Sequence, residues 1–235
     1  MRAFFKTGRA RIAVALMLGA AAMLLGGAEP CAAAASVSHA EAAAVGKTVD
    51  AIQNHYQTTD SFSAKFVEDI NPVGAPKRTR DGVVYFRKPG RMRWEFKTPN
   101  EELVVSDGHT LYSYDPGLNQ VVESPLKRAL RAPGATEFLL GVGNIKHDFK
   151  ASAPASAPGD GLEHVRLVPR QGGDAIEVAV DPKSHDIRAI RITDQLGDVT
   201  DVRFSDIRNN ISLQDSLFSF QPPAGADIVR PAAPQ

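Results

Sequence analysis

The sequence predicts a mainly β protein with a few helices, an α+β chain built as an antiparallel barrel or sandwich. Two observations carry this. Short stretches of strict apolar/polar alternation recur along the chain, each bounded by turn residues. The clearest of them is 91–97, where Met92, Trp94 and Phe96 share one side and Arg91, Arg93, Glu95 and Lys97 the other. Successive side chains of a strand point to opposite faces, so this strand has one apolar face and one charged, wet face. Trp94 is the only tryptophan of the chain.

The N-terminus does not read as part of the fold. Arg2, Lys6, Arg9 and Arg11 form a basic region, Ile12 to Gly27 is an apolar run, and Ala32 to Ala35 offers small residues for cleavage. This is the pattern of a secretory signal peptide, cleaved after Ala34 or Ala35. The run is short for a membrane span of about 20 residues. Cys31 is the only cysteine, and Glu29 and Pro30 before it lack the small side chains an acylation signal needs. It is read as part of the discarded peptide. The expected organisation is therefore a signal peptide over 1–35 and one domain over 36–235. That domain has no disulfide and depends on its core. Removing four basic residues and one acidic from 27 of each leaves 23 and 26. No basic excess points to nucleic acid or to an anionic membrane surface.

Residues 36–59 read as a helix beginning near His39 and ending around 58–60, with Val45, Val49, Ile52 and Tyr56 as one apolar stripe. The stretch 61–70 reads as a strand, with Phe62, Ala64 and Phe66 alternating with Ser63, Lys65 and Val67, and the turn at 71–74 ends it. Strands follow at 80–87 and 91–97, then at 102–106 and 110–114 joined by Asp107-Gly108, then at 120–124. Residues 125–131 and 136–140 read as short helices broken by Pro133-Gly134, and 145–149 as a strand. The Ala/Pro/Ser/Gly-rich stretch 151–161 reads as an exposed hairpin loop rather than a domain linker, because strands continue on both sides. These are 162–168, 175–180, 187–193 and 199–207, bringing the total to roughly ten. The segment 216–229 reads as an apolar stub with a double-proline stop.

No catalytic constellation is present in the pattern. Gly46-Lys47-Thr48 lacks the first glycine of a phosphate loop, since residue 41 is Glu, and it falls inside a helix. The six histidines have no metal-ligand spacing. His109 falls in a tight turn and reads as solvated, and Glu101 and Glu102 read as a solvated strand start, facing opposite ways. No serine lies in a nucleophile elbow. The chain reads as a non-enzyme without cofactor or metal.

The run GVVYFRKPGRMRWEFKTPNEELVVSDGHTLYSYDP over 82–116, with FSAKF upstream and LFSFQPPAG near the end, resembles the LolA family of periplasmic carriers of outer-membrane lipoproteins. The resemblance spans about 46–225 and is specific in 62–116 and 217–225. It implies a strongly curved antiparallel sheet forming an incomplete β-barrel, covered by a few lid helices. It implies a chaperone that takes acylated lipoproteins from an inner-membrane ABC transporter and passes them to the outer membrane, to an acceptor where one is present, with the acyl chains in an apolar cavity. A monomer in the periplasm, binding no nucleic acid, is expected. Phe66, Met92, Trp94, Phe96, Tyr112 and Tyr114 are the expected cavity residues, and Phe138, Leu139 and Leu140 the expected lid. Lys88 stands where the family tends to carry a latch arginine, and it lacks the planar fork that holds several carbonyls at once, which argues against a tight closed state. The alternatives on the same fold are an outer-membrane acceptor and a periplasmic sensor of lipid or lipoprotein.

Overall fold

A computed structural model of the chain describes residues 39–129 and 143–231. The segment read as a signal peptide, with Cys31, and the residues Phe138, Leu139 and Leu140 lie outside the described residues. Helix α1 spans His39–Thr58. Six strands follow as a meander: β1 (Ser61–Asn71), β2 (Arg78–Arg87), β3 (Arg91–Thr98), β4 (Glu102–Asp107), β5 (Thr110–Asp115) and β6 (Gln120–Pro125). The single turns α2 (Leu126–Ala129) and α3 (Ile145–Asp148) come next. A second meander runs through β7 (Phe149–Ser152), β8 (Glu163–Pro169), β9 (Ala175–Val180), β10 (Ile187–Thr193) and β11 (Val199–Asn209). A 3-10 turn at Asp215–Phe218 and the short strand β12 (Asp227–Val229) complete the described chain.

The strands form one sheet in the order β12-β6-β5-β4-β3-β2-β1-β11-β10-β9-β8-β7. Neighbours are antiparallel except β12, which runs parallel to β6. β1 sits in the middle because β11 returns to its free edge, so the two meanders share it as a common seam. The sheet does not close on itself, and it is an incomplete barrel rather than a sandwich of two sheets. Its curvature is visible in the core: side chains from β1, β2, β3, β8, β9, β10, β11 and α1 meet in one buried cluster. Val49, Ile52 and Tyr56 of α1 fall in that cluster and Val45 packs against it, as the helical spacing predicts.

Turn chemistry follows the sequence closely. The Asp107 carboxylate accepts from the N–H groups of His109 at 2.7 Å and Thr110 at 2.8 Å. Gly108 takes φ +100°, a conformation L side chains resist. The exposed loop after β7 joins two antiparallel neighbours, as expected of a hairpin.

Three expectations change. Of the expected strand 145–149, Ile145–Asp148 is a helical turn and only Phe149 lies in β7, because the Asn144 side chain accepts from His147 N and caps the turn before the chain can extend. The described strands number twelve, since β7 and β12 are both too short to show alternation. The stub at 216–229 is a 3-10 turn and an edge strand.

α1 is fixed at its C-terminal end. His55 Nε2 lies 3.0 Å from Asp186 Oδ1, and the same oxygen accepts from Asn209 Nδ2 at 2.7 Å. Burial pushes the Asp186 carboxyl up, but hydrogen bonds from His55, Asn209 and Ser184 outweigh it and bring its pKa down to about 2. A depressed folded-state value stabilises the fold above the unfolded carboxyl pKa of about 4. That contribution, on the order of 2 kcal/mol, is lost as pH falls from about 4 toward 2. Urea melts at pH 5 and pH 2.5 should show a smaller acid-induced loss for Asp186→Asn than for the natural chain.

Candidate functional site

The concave face between β1 and β4 is aromatic and arranged in layers. Pairing sets Phe62 beside Phe86, and Phe86 beside Met92. The next layer runs Ala64, Val84, Trp94, Val104. The third runs Phe66, Gly82, Phe96, with Phe204 of β11 on the other side of Phe66. Trp94 is the centre: its ring lies 4.8 Å from Phe66, 6.0 Å from Phe86, 6.2 Å from Phe204 and 6.3 Å from Phe96. Phe66 and Met92 are buried, while Trp94 and Phe96 keep part of their surface exposed and pack against the core cluster.

Gly82 makes this layering possible. A Cβ there would stand 1.9 Å from Glu95 O and 2.9 Å from Phe66 Cε1. Without one, the rings of Phe66 and Phe96 meet edge-to-face across β2, with centroids 5.1 Å apart. The register shift between Asp81 and Gly82 falls at the same place.

α1 covers the other half of the concave face, over β7 to β10. Thr48 Oγ1 donates to Glu163 Oε2 at 2.7 Å, and the Ile187 N–H donates to Tyr56 Oη at 3.1 Å. Between the two halves stands Lys88, which follows β2. Its Nζ donates to Tyr56 O at 2.6 Å and Gln57 O at 2.8 Å, two carbonyls of the last turn of α1. A cation is favourable at a helix C-terminus, where unpaired carbonyls gather negative partial charge. Burial pulls the Lys88 ammonium below the usual lysine value, with the Asp60 carboxylate acting the other way. The planar fork of arginine is therefore not required here: an ammonium has three donors and uses two on successive carbonyls.

Two expected cavity residues are elsewhere. Tyr112 pairs with Val105 and Tyr114 with Leu103, residues of the opposite face from Val104 and Trp94. Both tyrosines therefore lie on the convex side, their rings 5.4 and 5.9 Å from Phe220. The inward positions of β5 are Leu111 and Ser113. The convex side has its own apolar patch, with Val105, Val121 and Phe218 buried. The 3-10 turn is held there by Arg87 and Arg91, which both bind Asp215, and by Arg93 Nη1, which donates to Leu217 O at 3.2 Å.

Residues that alternation alone could have assigned to the concave face include Phe62, Phe86 and Phe204, which share parity with Phe66, Trp94 and Val202. Glu102 was expected to be solvated. It is half-buried and binds Arg80, while Glu101 is exposed and so is His109. Among the described residues no group of His, Cys, Asp or Glu side chains is placed to hold a metal ion.

The family model described as "Outer membrane lipoprotein carrier protein LolA" matches residues 57–221. An outer-membrane lipoprotein carrier protein of Dechloromonas aromatica is 31% identical over 77% of this chain and 86% of its own length. One from Methylibium petroleiphilum is 32% identical over 83% of this chain and 93% of its own. Among solved structures, a LolA superfamily protein from Nitrosomonas europaea aligns with a TM-score of 0.45 and 13% identity, over 75% of this chain and 97% of that one.

Gly82→Ala should destabilise the fold by about 2–3 kcal/mol, because the backbone at Glu95 cannot yield. The midpoint of urea unfolding reads this. Lys88→Met should cost about 1–2 kcal/mol and speed amide exchange in the last turn of α1, whereas Lys88→Arg should keep both near the natural values.

Proposed function

The chain belongs to the LolA family of outer membrane lipoprotein carriers, and from that premise we propose that it carries acylated lipoproteins from the inner to the outer membrane. The observation that carries the reading is the aromatic concave face, which offers apolar surface on one side of an open sheet. An acyl chain in water is unfavourable by about 0.8 kcal/mol per methylene. A lipoprotein therefore needs such a surface to cross an aqueous compartment.

In this reading Phe66, Met92, Trp94 and Phe96 contact the acyl chains. Tyr112 and Tyr114 do not, since the register turns them outward. Lys88 acts as the latch that holds α1 over the sheet, and Phe138, Leu139 and Leu140 complete the cover. Residues 1–35 direct export to the periplasm and are removed. An inner-membrane ABC transporter loads the protein and supplies the energy, so no cofactor is needed, and an outer-membrane acceptor or the membrane itself receives the cargo.

The protein, purified from a periplasmic extract, is added to spheroplasts that hold newly made lipoproteins in the inner membrane. The expected result is soluble lipoprotein in a stoichiometric complex that requires ATP. Trp94→Glu should fold and release nothing, because a carboxylate at the centre of the face cannot be desolvated against alkyl chains. Failure of the natural chain to release any lipoprotein, with an active transporter, would sink the carrier reading.

A further inference from the structure

The aromatic layers of the concave face stop at a charged one. Beyond Phe66 on β1 comes Glu68, beyond Gly82 on β2 comes Arg80, and Glu102 of β4 stands beside Phe96. Arg80 Nε donates to Glu68 Oε2 at 2.6 Å and Nη1 donates to Glu102 Oε2 at 3.0 Å. The guanidinium carbon sits 4.2 Å from the centroid of the Phe96 ring, on which it is packed. All three side chains are partly buried, with 27%, 15% and 35% of Arg80, Glu68 and Glu102 exposed. One guanidinium between two carboxylates leaves the layer one net negative charge.

From Met92 to Phe96 the apolar strip is four residue steps long, about 13 Å at the rise of an antiparallel strand. An alkyl chain lying along it gains from each methylene up to Phe96. Past that ring it would strip water from charged groups and return no hydrogen bond, so added length gains nothing. There is space on the other side. A depression of about 500 Å³ is lined there by Ile70, Thr79, Pro99 and Asn100 and by the charged Lys77, Arg78, Arg80 and Glu102.

We propose that Glu68, Arg80 and Glu102 are the end wall of the acyl-binding face and set the longest chain it accepts. The inference rests on the carrier reading above and adds a specificity-determining group to it. The half of the sheet that faces α1 plays no part, because helix side chains already cover it. Removing the three charges opens the end of the aromatic strip toward the depression beyond, where Ile70 and Pro99 offer further apolar contact, and lengthens the face.

The test is a series of saturated fatty acids of stepwise length, bound to the exported protein and read by the fluorescence of Trp94, the only tryptophan. Affinity should rise about fourfold per added methylene up to a limiting length and stay flat beyond it. In the triple variant Glu68→Gln, Arg80→Met, Glu102→Gln the limit should move to longer chains. Val104→Glu is the second variant and serves if the triple one does not fold. It sets a carboxylate one layer nearer the centre, and the limit should move to shorter chains. A natural protein whose affinity keeps climbing with length, or variants whose limit stays in place, would overturn the end wall and leave the carrier reading intact. No binding of any fatty acid would overturn both.

Discussion

The end of α1 is the joint on which the concave face depends. Tyr56 is buried there, and its hydroxyl accepts from the Ile187 N–H of β10, while its ring meets Phe62 of β1 at 6.2 Å. Its carbonyl and that of Gln57 receive Lys88. His55, one residue earlier, reaches Asp186. One helical turn thus ties the second meander, the central seam and the β2–β3 turn together. Most of those ties are polar. They fix where the helix sits by geometry, while the apolar stripe of Val49 and Ile52 supplies the larger free energy of burial.

That arrangement divides one curved sheet into two unlike halves. Under α1 the inward residues of β8 to β10 are aliphatic: Val165, Leu167, Ile176, Val178 and Ile190 are all buried. Branched aliphatic side chains interlock with a helix stripe and leave little to expose. On β1 to β3 the large inward residues are aromatic apart from Met92, and Trp94 and Phe96 remain half-buried. Flat rings in edge-to-face contact support one another across the sheet and still present a face to a guest. In the carrier reading the stabilising half and the binding half are thus separated in one sheet, with Phe66 and Phe204 at the boundary.

Local period and turn chemistry made the strands legible. Alternation in 61–70 and 91–97, the Asp107-Gly108 turn and the helical stripe of Val45, Val49, Ile52 and Tyr56 all describe the chain as it folds. What they could not settle is which parity of each strand faces inward. Near the edge of the sheet that choice rests on contacts distant in sequence. Tyr112 and Tyr114 face outward because Phe218 and Phe220, about a hundred residues later, build a second apolar patch for them. β12 pairs with β6 on the same basis, and a three-residue strand has no period to read. Arg80 shows the same limit. Its two carboxylate partners lie 12 and 22 residues away, and no pattern along the chain joins them.

The convex network also bears on how the protein can open. Arg87, Arg91 and Arg93 project outward from β2 and β3 and clamp the 3-10 turn through Asp215 and Leu217 O, with Phe218 sealed beneath. These contacts back the same strands that carry Phe86, Met92 and Trp94 inward. A sheet braced from outside keeps its curvature when its inner contents change. α1 is positioned at its last turn by hydrogen bonds to Lys88 and to the neighbouring Asp186 and Ile187, each worth about 1 kcal/mol net, and held by its buried apolar stripe. In the carrier reading the aromatic face lies beside α1 and not beneath it, so the sheet need not unfold to admit or surrender an acyl chain.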